Sequence, residues 1–265
     1  MSLSNPKAVN PATKFIEFKG DTGEFFYYDK LTEQKVKIEM PIHFIVLDEL
    51  SSIKGYNQRI GVGIYSNEIR YVKDEILNVR SFKGGIQIVG KYQDIKDAAL
   101  REGGKYCKSV YAMLITGKGE YELVNFQFHG ASFSGTSDQS RSGWIGKKFN
   151  NEIYGVTCKE TEQGQNGAVK FLAPIFEPGW KLDTRPDVLK AATEMDVKLQ
   201  AYLKTYLSQS VEKNANSPEE LEPVIENAND PAGMGEFEAE QMGYVKREKE
   251  PMDMTLPEGV DPLPF

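Results

Sequence analysis

The chain reads as a mainly β protein, a barrel or sandwich, followed by one amphipathic helix and a disordered acidic tail. Three observations carry that expectation. Short aromatic and β-branched runs, separated by Gly-rich turns, fill the first 180 residues; helical periodicity replaces them after 184; and an acidic, Pro-containing stretch follows from 211. With 265 residues the chain can bury a full core, and about 210 remain without the tail, enough for one elaborated domain.

Residues 13–19 alternate around Phe15, Ile16 and Phe18, and Gly20-Asp21-Thr22-Gly23 turns the chain into the Glu-Phe-Phe-Tyr-Tyr of 24–28, a hairpin signature. Strands are predicted next at 36–40, 42–47, 60–65, 77–82 and 86–92. A short helix at 93–101 interrupts them and ends at Gly103-Gly104. Strands resume at 106–116 and 121–128, and a last pair, 153–160 and 168–176, is joined across Gly164-Gln165-Asn166-Gly167. At 184 the period changes: Thr184 can cap, Pro186 suits a first helical turn, and Val188, Ala192, Met195, Leu199, Tyr202 and Tyr206 form one apolar stripe. That helix, 184–208, is expected to pack on the β domain, because its stripe is short for a coiled coil. Beyond it, seven of the thirteen prolines and few β-branched residues fall in 211–265, a composition that cannot offset chain entropy by burial.

Charge divides at the same boundary. Residues 211–265 hold fourteen acids and four bases, a net of −10, leaving 25 acids and 28 bases in 1–210, a net of +3. A basic body with an acidic tail suggests an anionic ligand that the tail can mimic or yield to. The first residues show no basic-then-apolar export signal, and no window approaches the roughly 18 apolar residues that span a bilayer, so a cytoplasmic protein without membrane contact is expected. Cys107 and Cys158, 51 positions apart in strand-like runs, indicate neither a disulfide framework nor a thiolate metal site.

Several chemistries lack their residues. Gly85-Ile-Gln-Ile-Val-Gly90-Lys91 has the spacing of a phosphate-binding loop, but Tyr92 replaces the Ser or Thr that holds magnesium, and Ile86 to Val89 alternate as a strand. Gly130-Ala131-Ser132-Phe133-Ser134 has no second glycine for a nucleophile elbow. His43 and His129 are too few for a histidine metal site and read as structural. Asp48-Glu49 and Asp74-Glu75 read as solvated turns, since adjacent strand residues face opposite ways. The expectation is a non-enzymatic protein with no cofactor and no metal.

The body instead interleaves aromatic rings with cations. A cluster at Phe25 to Tyr28 is followed by Arg70-Tyr71-Val72-Lys73, Arg80-Ser81-Phe82-Lys83, Lys91-Tyr92 and Lys105-Tyr106-Cys107-Lys108, and Trp144 lies in a Ser- and Gly-rich segment at 130–149. Alternation places Arg80 with Phe82 and Tyr106 with Lys108. Rings that stack bases, with cations tracking phosphates, are what single-stranded nucleic acid requires, at about 1–3 kcal/mol per stacked base. Because Tyr and Phe also fill half-buried sheets, the cluster carries this reading and no single ring does. The expected stacking residues are Tyr27, Tyr71, Phe82, Tyr92, Tyr106 and Trp144; the expected phosphate contacts are Arg70, Lys73, Arg80, Lys83, Lys91, Lys105 and Lys108.

The final five residues, Asp261, Pro262, Leu263, Pro264 and Phe265, end an acidic tail on an apolar residue, a proline and an aromatic. This ending resembles the acidic C-terminal tip of bacterial single-stranded DNA-binding proteins, and acidic tails ending in Phe are shared by phage replication proteins of that function. The resemblance implies an elaborated OB-fold-like barrel over 1–183, the helix 184–208 packed on it, and a disordered acidic tail over 209–265. It also implies a protein of phage or mobile-element type, acting in a bacterial host's cytoplasm, that binds single-stranded DNA in replication, recombination or repair. Leu263, Pro264 and Phe265 would fill a hydrophobic pocket on replication or repair partners, with Asp261 and the terminal carboxylate meeting basic residues beside it. Two alternatives stand beside this reading: an all-β virion or assembly protein whose aromatics are core, and a divalent-metal nuclease. RNA is a further possible ligand.

Overall fold

The computed structural model describes residues 9–82, 84–117, 119–133, 154–181 and 185–216. Lys83, Trp144 and the whole of 217–265, including the Asp261–Phe265 tip, lie outside the described residues. One mixed sheet of eleven strands dominates. In chain order its strands are β1 (Lys14–Lys19), β2 (Glu24–Asp29), β3 (Gln34–Ile38), β4 (Ile42–Asn57), β5 (Val62–Ser66), β6 (Leu77–Ser81), β7 (Gln87–Gly90), β8 (Gly104–Gly117), β9 (Glu120–Phe128), β10 (Tyr154–Asn166) and β11 (Val169–Lys181). Helices α1 (Tyr92–Arg101) and α2 (Pro186–Asn216) accompany the sheet. No helix among the described residues is long and apolar enough to cross a membrane.

The sheet forks at β4, which lies in the order β3-β2-β1-β9-β8-β4-β5-β6-β7. One edge of β4 pairs with β8 from His43 to Gly55. The other edge is divided: Ile42, His43 and Phe44 pair with β10, whereas Lys54 to Asn57 pair with β5. All neighbours are antiparallel except β1 and β9.

The sixteen residues of β4 far exceed the expected 42–47, because both faces are buried. Phe44 and Val46 point into one core, whereas Ile45, Leu47 and Leu50 point into another. The register slips between Val46 and Asp48, a bulge that exchanges the two faces along the rest of the strand. Asp48 and Glu49 were expected in a solvated turn; both lie in β4, and Asp48 is only 6% exposed. Burial is tolerated because Arg70 grips the Asp48 carboxylate with both terminal nitrogens, at 2.9 and 2.8 Å, and Gln200 Nε2 donates to it at 2.9 Å.

The first core gathers Phe18 and Phe25 from the hairpin, Phe44 from β4, Phe126 and Phe128 from β9, and Phe176 from β11. Phe25 of β2 and Phe176 of β11, the strand beyond β10 on the branch from β4, are far apart in pairing order yet have ring centroids 6.4 Å apart, so the sheet curls around this core. The Leu172 N–H donates to Gly20 O at 2.7 Å, tying β11 to the β1–β2 turn. The strand path nevertheless remains open and mixed.

On the outer face, α2 lays Val188, Ala192, Leu199 and Leu203 over Ile45, Leu47, Leu50, Tyr111, Met113 and Leu123. The helix continues past the expected end at 208 because no proline or glycine follows until Pro218. The third core, Ile53, Ile64, Leu77 and Val79 with Ile95 and Ala99, seats α1 on the smaller wing. Gly103 ends α1 at φ +89°, and a β-carbon there would stand 2.2 Å from Tyr56 O. In the β10–β11 hairpin, Gly164 belongs to β10 and not to the turn: it lies opposite Phe171, whose ring would be 2.4 Å from a β-carbon at that site.

Candidate nucleic-acid interface

Alternation along β8 sends Lys105 and Tyr106 to opposite faces, so the expected residues divide into two groups. On the face that carries α2, register places Lys105 of β8 opposite Lys54 of β4, Lys54 opposite Tyr65 of β5, Tyr65 opposite Arg80 of β6, and Arg80 opposite Gln87 of β7. Opposed residues share a face, so these five side chains form one row across five strands, roughly 19 Å long at the usual strand spacing. Lys105, Lys54, Tyr65 and Arg80 are half-buried, and Gln87 is exposed. A ring thus stands in the row with cations on both sides.

Neighbours hold the row in place. Arg80 Nε donates to Asn78 Oδ1 at 3.1 Å, and the Lys54 ammonium donates to Gln127 Oε1 while standing 3.6 Å from Glu17 Oε1. Burial, opposed by Glu17 and reinforced by Lys54 and Lys105, holds the His129 imidazole below its ordinary pKa. Lys54 and Tyr65 were not among the expected site residues. Lys54 lies beyond the predicted end of its strand, and Tyr65 has no cation beside it in sequence; the alternation of Leu50, Ser52 and Lys54 was the signal that could have found the first.

The second group lies on the opposite face and is largely engaged in packing. Tyr106 meets Tyr92 at 5.1 Å and Phe133 at 5.4 Å, both edge-to-face, and its hydroxyl is 2.7 Å from Ser51 Oγ. Lys108 shares this face with Tyr106 and pairs with Glu49, its side chain 12% exposed. Tyr92 also leans on the core beneath α1.

The remaining expected residues are dispersed. Tyr27 packs against the first core, with Lys14 Nζ 4.8 Å above its ring. The Arg70 guanidinium is committed to Asp48, whose hydrogen bonds hold its pKa up. Tyr71, 61% exposed, and the exposed Lys73 lie in the segment between β5 and β6. Phe82, 45% exposed, follows β6, and the exposed Lys91 immediately precedes α1. Lys83 and Trp144 are outside the described residues. The structure therefore brings Arg80 and Lys105 into one row, and Tyr92, Tyr106 and Lys108 onto another face.

The phosphate-loop spacing at Gly85 to Lys91 is occupied by strand β7. His43 Nδ1 lies 3.0 Å from Thr157 Oγ1, and burial and Lys159 hold its pKa down. Both cysteines are free and buried, with thiol pKa values pushed up to about 12 chiefly by burial. Among the described residues, no group of three or more His, Cys, Asp and Glu is placed to hold a metal ion. Comparison with known proteins finds no family, no curated protein and no solved structure that matches the chain.

Proposed function

We propose that this chain binds single-stranded DNA with little sequence preference, laying the strand across the row of Lys105, Lys54, Tyr65, Arg80 and Gln87. The observation that carries the reading is the row itself: a stacking ring between cations, presented by rigid strands at regular spacing. Tyr65 stacks a base, the cations track phosphates, and the exposed Tyr71 and Phe82 extend the contact. In this reading the curled sheet is an elaborated OB-type barrel, and the protein serves replication, recombination or repair as a binding protein and not as an enzyme. The acidic stretch competes with DNA for the basic face, and Asp261 to Phe265 recruit replication or repair partners.

The test is a gel shift of labelled oligo-dT at low salt, with and without magnesium. A shift that leaves the oligonucleotide intact in magnesium is expected. No shift would favour a virion or assembly role, and degradation in magnesium would favour a nuclease. Competition with oligo-U measures the preference for DNA over RNA. Deleting 261–265 should abolish partner capture without changing DNA affinity, and deleting 217–265 should tighten binding most at low salt.

A further inference from the structure

We infer that Lys54, Lys105 and His129 form a phosphate subsite at one end of the row, where Glu17 is an internal competitor that an incoming phosphate displaces from Lys54. The inference rests on the nucleic-acid reading only for the source of the phosphate.

Lys54 and Lys105 are direct cross-strand partners. Like charges so placed repel, and an anion between them converts the repulsion into attraction to both. The contact that Lys54 makes with Glu17 is loose, 3.6 Å against the roughly 2.7–2.9 Å of a charge-assisted hydrogen bond. The Glu17 side chain is 33% exposed and can turn into water without stranding a buried charge. Meanwhile Gln127 Oε1, a neutral acceptor, keeps the ammonium in position whether or not Glu17 is present. A positioned cation with an exchangeable counterion is suited to taking an anion.

His129, just beyond the end of β9, supplies the third group. Gln127 of β9 stands opposite Glu17 of β1 and Ser109 of β8, and alternation returns His129, two residues on, to that same face, the one shared by Lys54 of β4 and Lys105 of β8. Glu17, Lys54 and Lys105 are the charged groups that act on its ring. On its own segment Ser132 Oγ accepts from the His129 backbone N–H and donates to its carbonyl, fixing the turn without using the ring. With two lysines near, the ring favours neutrality; a phosphate reverses the local field and favours the imidazolium. Binding should therefore take up a proton and strengthen as pH falls. Phosphate chemistry is shared by a nucleic-acid phosphodiester and free inorganic phosphate, and the same measurement separates them.

His43 and His129 are the chain's two histidines, so their Hε1 resonances give two proton NMR titration curves, with His43 as internal control. Assignment uses His129→Gln or, should that variant not fold, His43→Gln. Saturating oligo-dT should raise the His129 midpoint and leave His43 unmoved, with inorganic phosphate doing the same at higher concentration. Glu17→Gln should tighten oligo-dT binding about three-fold at low salt, and Lys54→Gln should remove the His129 response. If anisotropy shows oligo-dT bound while His129 stays unmoved, the subsite is wrong and the DNA reading survives. If phosphate shifts His129 but oligo-dT does not bind, the subsite holds for free phosphate and the DNA reading falls. If neither ligand binds or shifts the resonance, both fall.

Discussion

Replacing Arg80 and Lys105 together by Gln should flatten the salt dependence of single-strand binding. A cation that neutralises one phosphate contributes about 0.7 to the slope of log affinity against log salt on a single strand. The row holds Lys105, Lys54 and Arg80, so it accounts for a slope of about 2.1, of which the double variant removes about 1.4. Between 50 and 200 mM salt, wild-type affinity should fall roughly seven-fold further than that of the variant. Gln suits the test because it removes charge while keeping a donor for Asn78, which Arg80 Nε now contacts at 3.1 Å. The assay is fluorescence anisotropy of a labelled dT oligomer across that range, with circular dichroism confirming the fold. Tyr65→Ala should weaken binding by about 1–3 kcal/mol at every salt concentration and leave the slope unchanged, because stacking releases no counterions. Lys35 and Lys37, on β3 at the other end of the sheet path, serve as the control pair. Parallel slopes for wild type and the Arg80/Lys105 variant would refute the placement, as would an equal flattening from the control pair.

Gly103→Ala should destabilise the fold by more than about 1 kcal/mol in urea denaturation, since φ is +89° and the new β-carbon would meet Tyr56 O at 2.2 Å. Glu68 accepts hydrogen bonds from Ser109 and from the Tyr111 hydroxyl, yet burial raises its pKa above the ordinary 4.5. For an acid with a raised folded pKa, native stability is greatest below the ordinary value and is lost as pH rises through the folded one. Glu68→Gln should accordingly gain stability over wild type at pH 7, and the gain should vanish below about pH 4.5, measured as urea midpoints across pH. Cys107 and Cys158 should resist a thiol reagent in the native protein at pH 8 and both react in denaturant, because burial excludes the reagent and suppresses the thiolate.

Elements built from local pattern were legible in the sequence. The β1–β2 hairpin follows from alternation around a Gly-containing turn, α1 from its polar start and its Gly103 stop, and α2 from the stripe that includes Val188, Ala192 and Leu199. Legibility ended where burial on both faces erased alternation, as in the apolar run of β4 that continues through Asp48. The same limit applied to the site. Aromatic-cation neighbours in sequence occupy opposite faces of a strand, so Lys105 and Tyr106, adjacent in the chain, serve different surfaces.

The sequence by itself determined the β-rich body, the amphipathic helix and the charge contrast with the acidic tail, because composition and period act locally. Only the tertiary structure decided which cations stand together. Lys54 and Lys105 are 51 residues apart in sequence and become partners through the β4–β8 register. The bulge after Val46 then decides which face Lys54 occupies. Were Leu47 paired in regular alternation instead of bulged out, Lys54 would lie on the side of Phe44 and Val46 and the row would lose its middle cation, since a one-residue slip exchanges the faces of every side chain that follows.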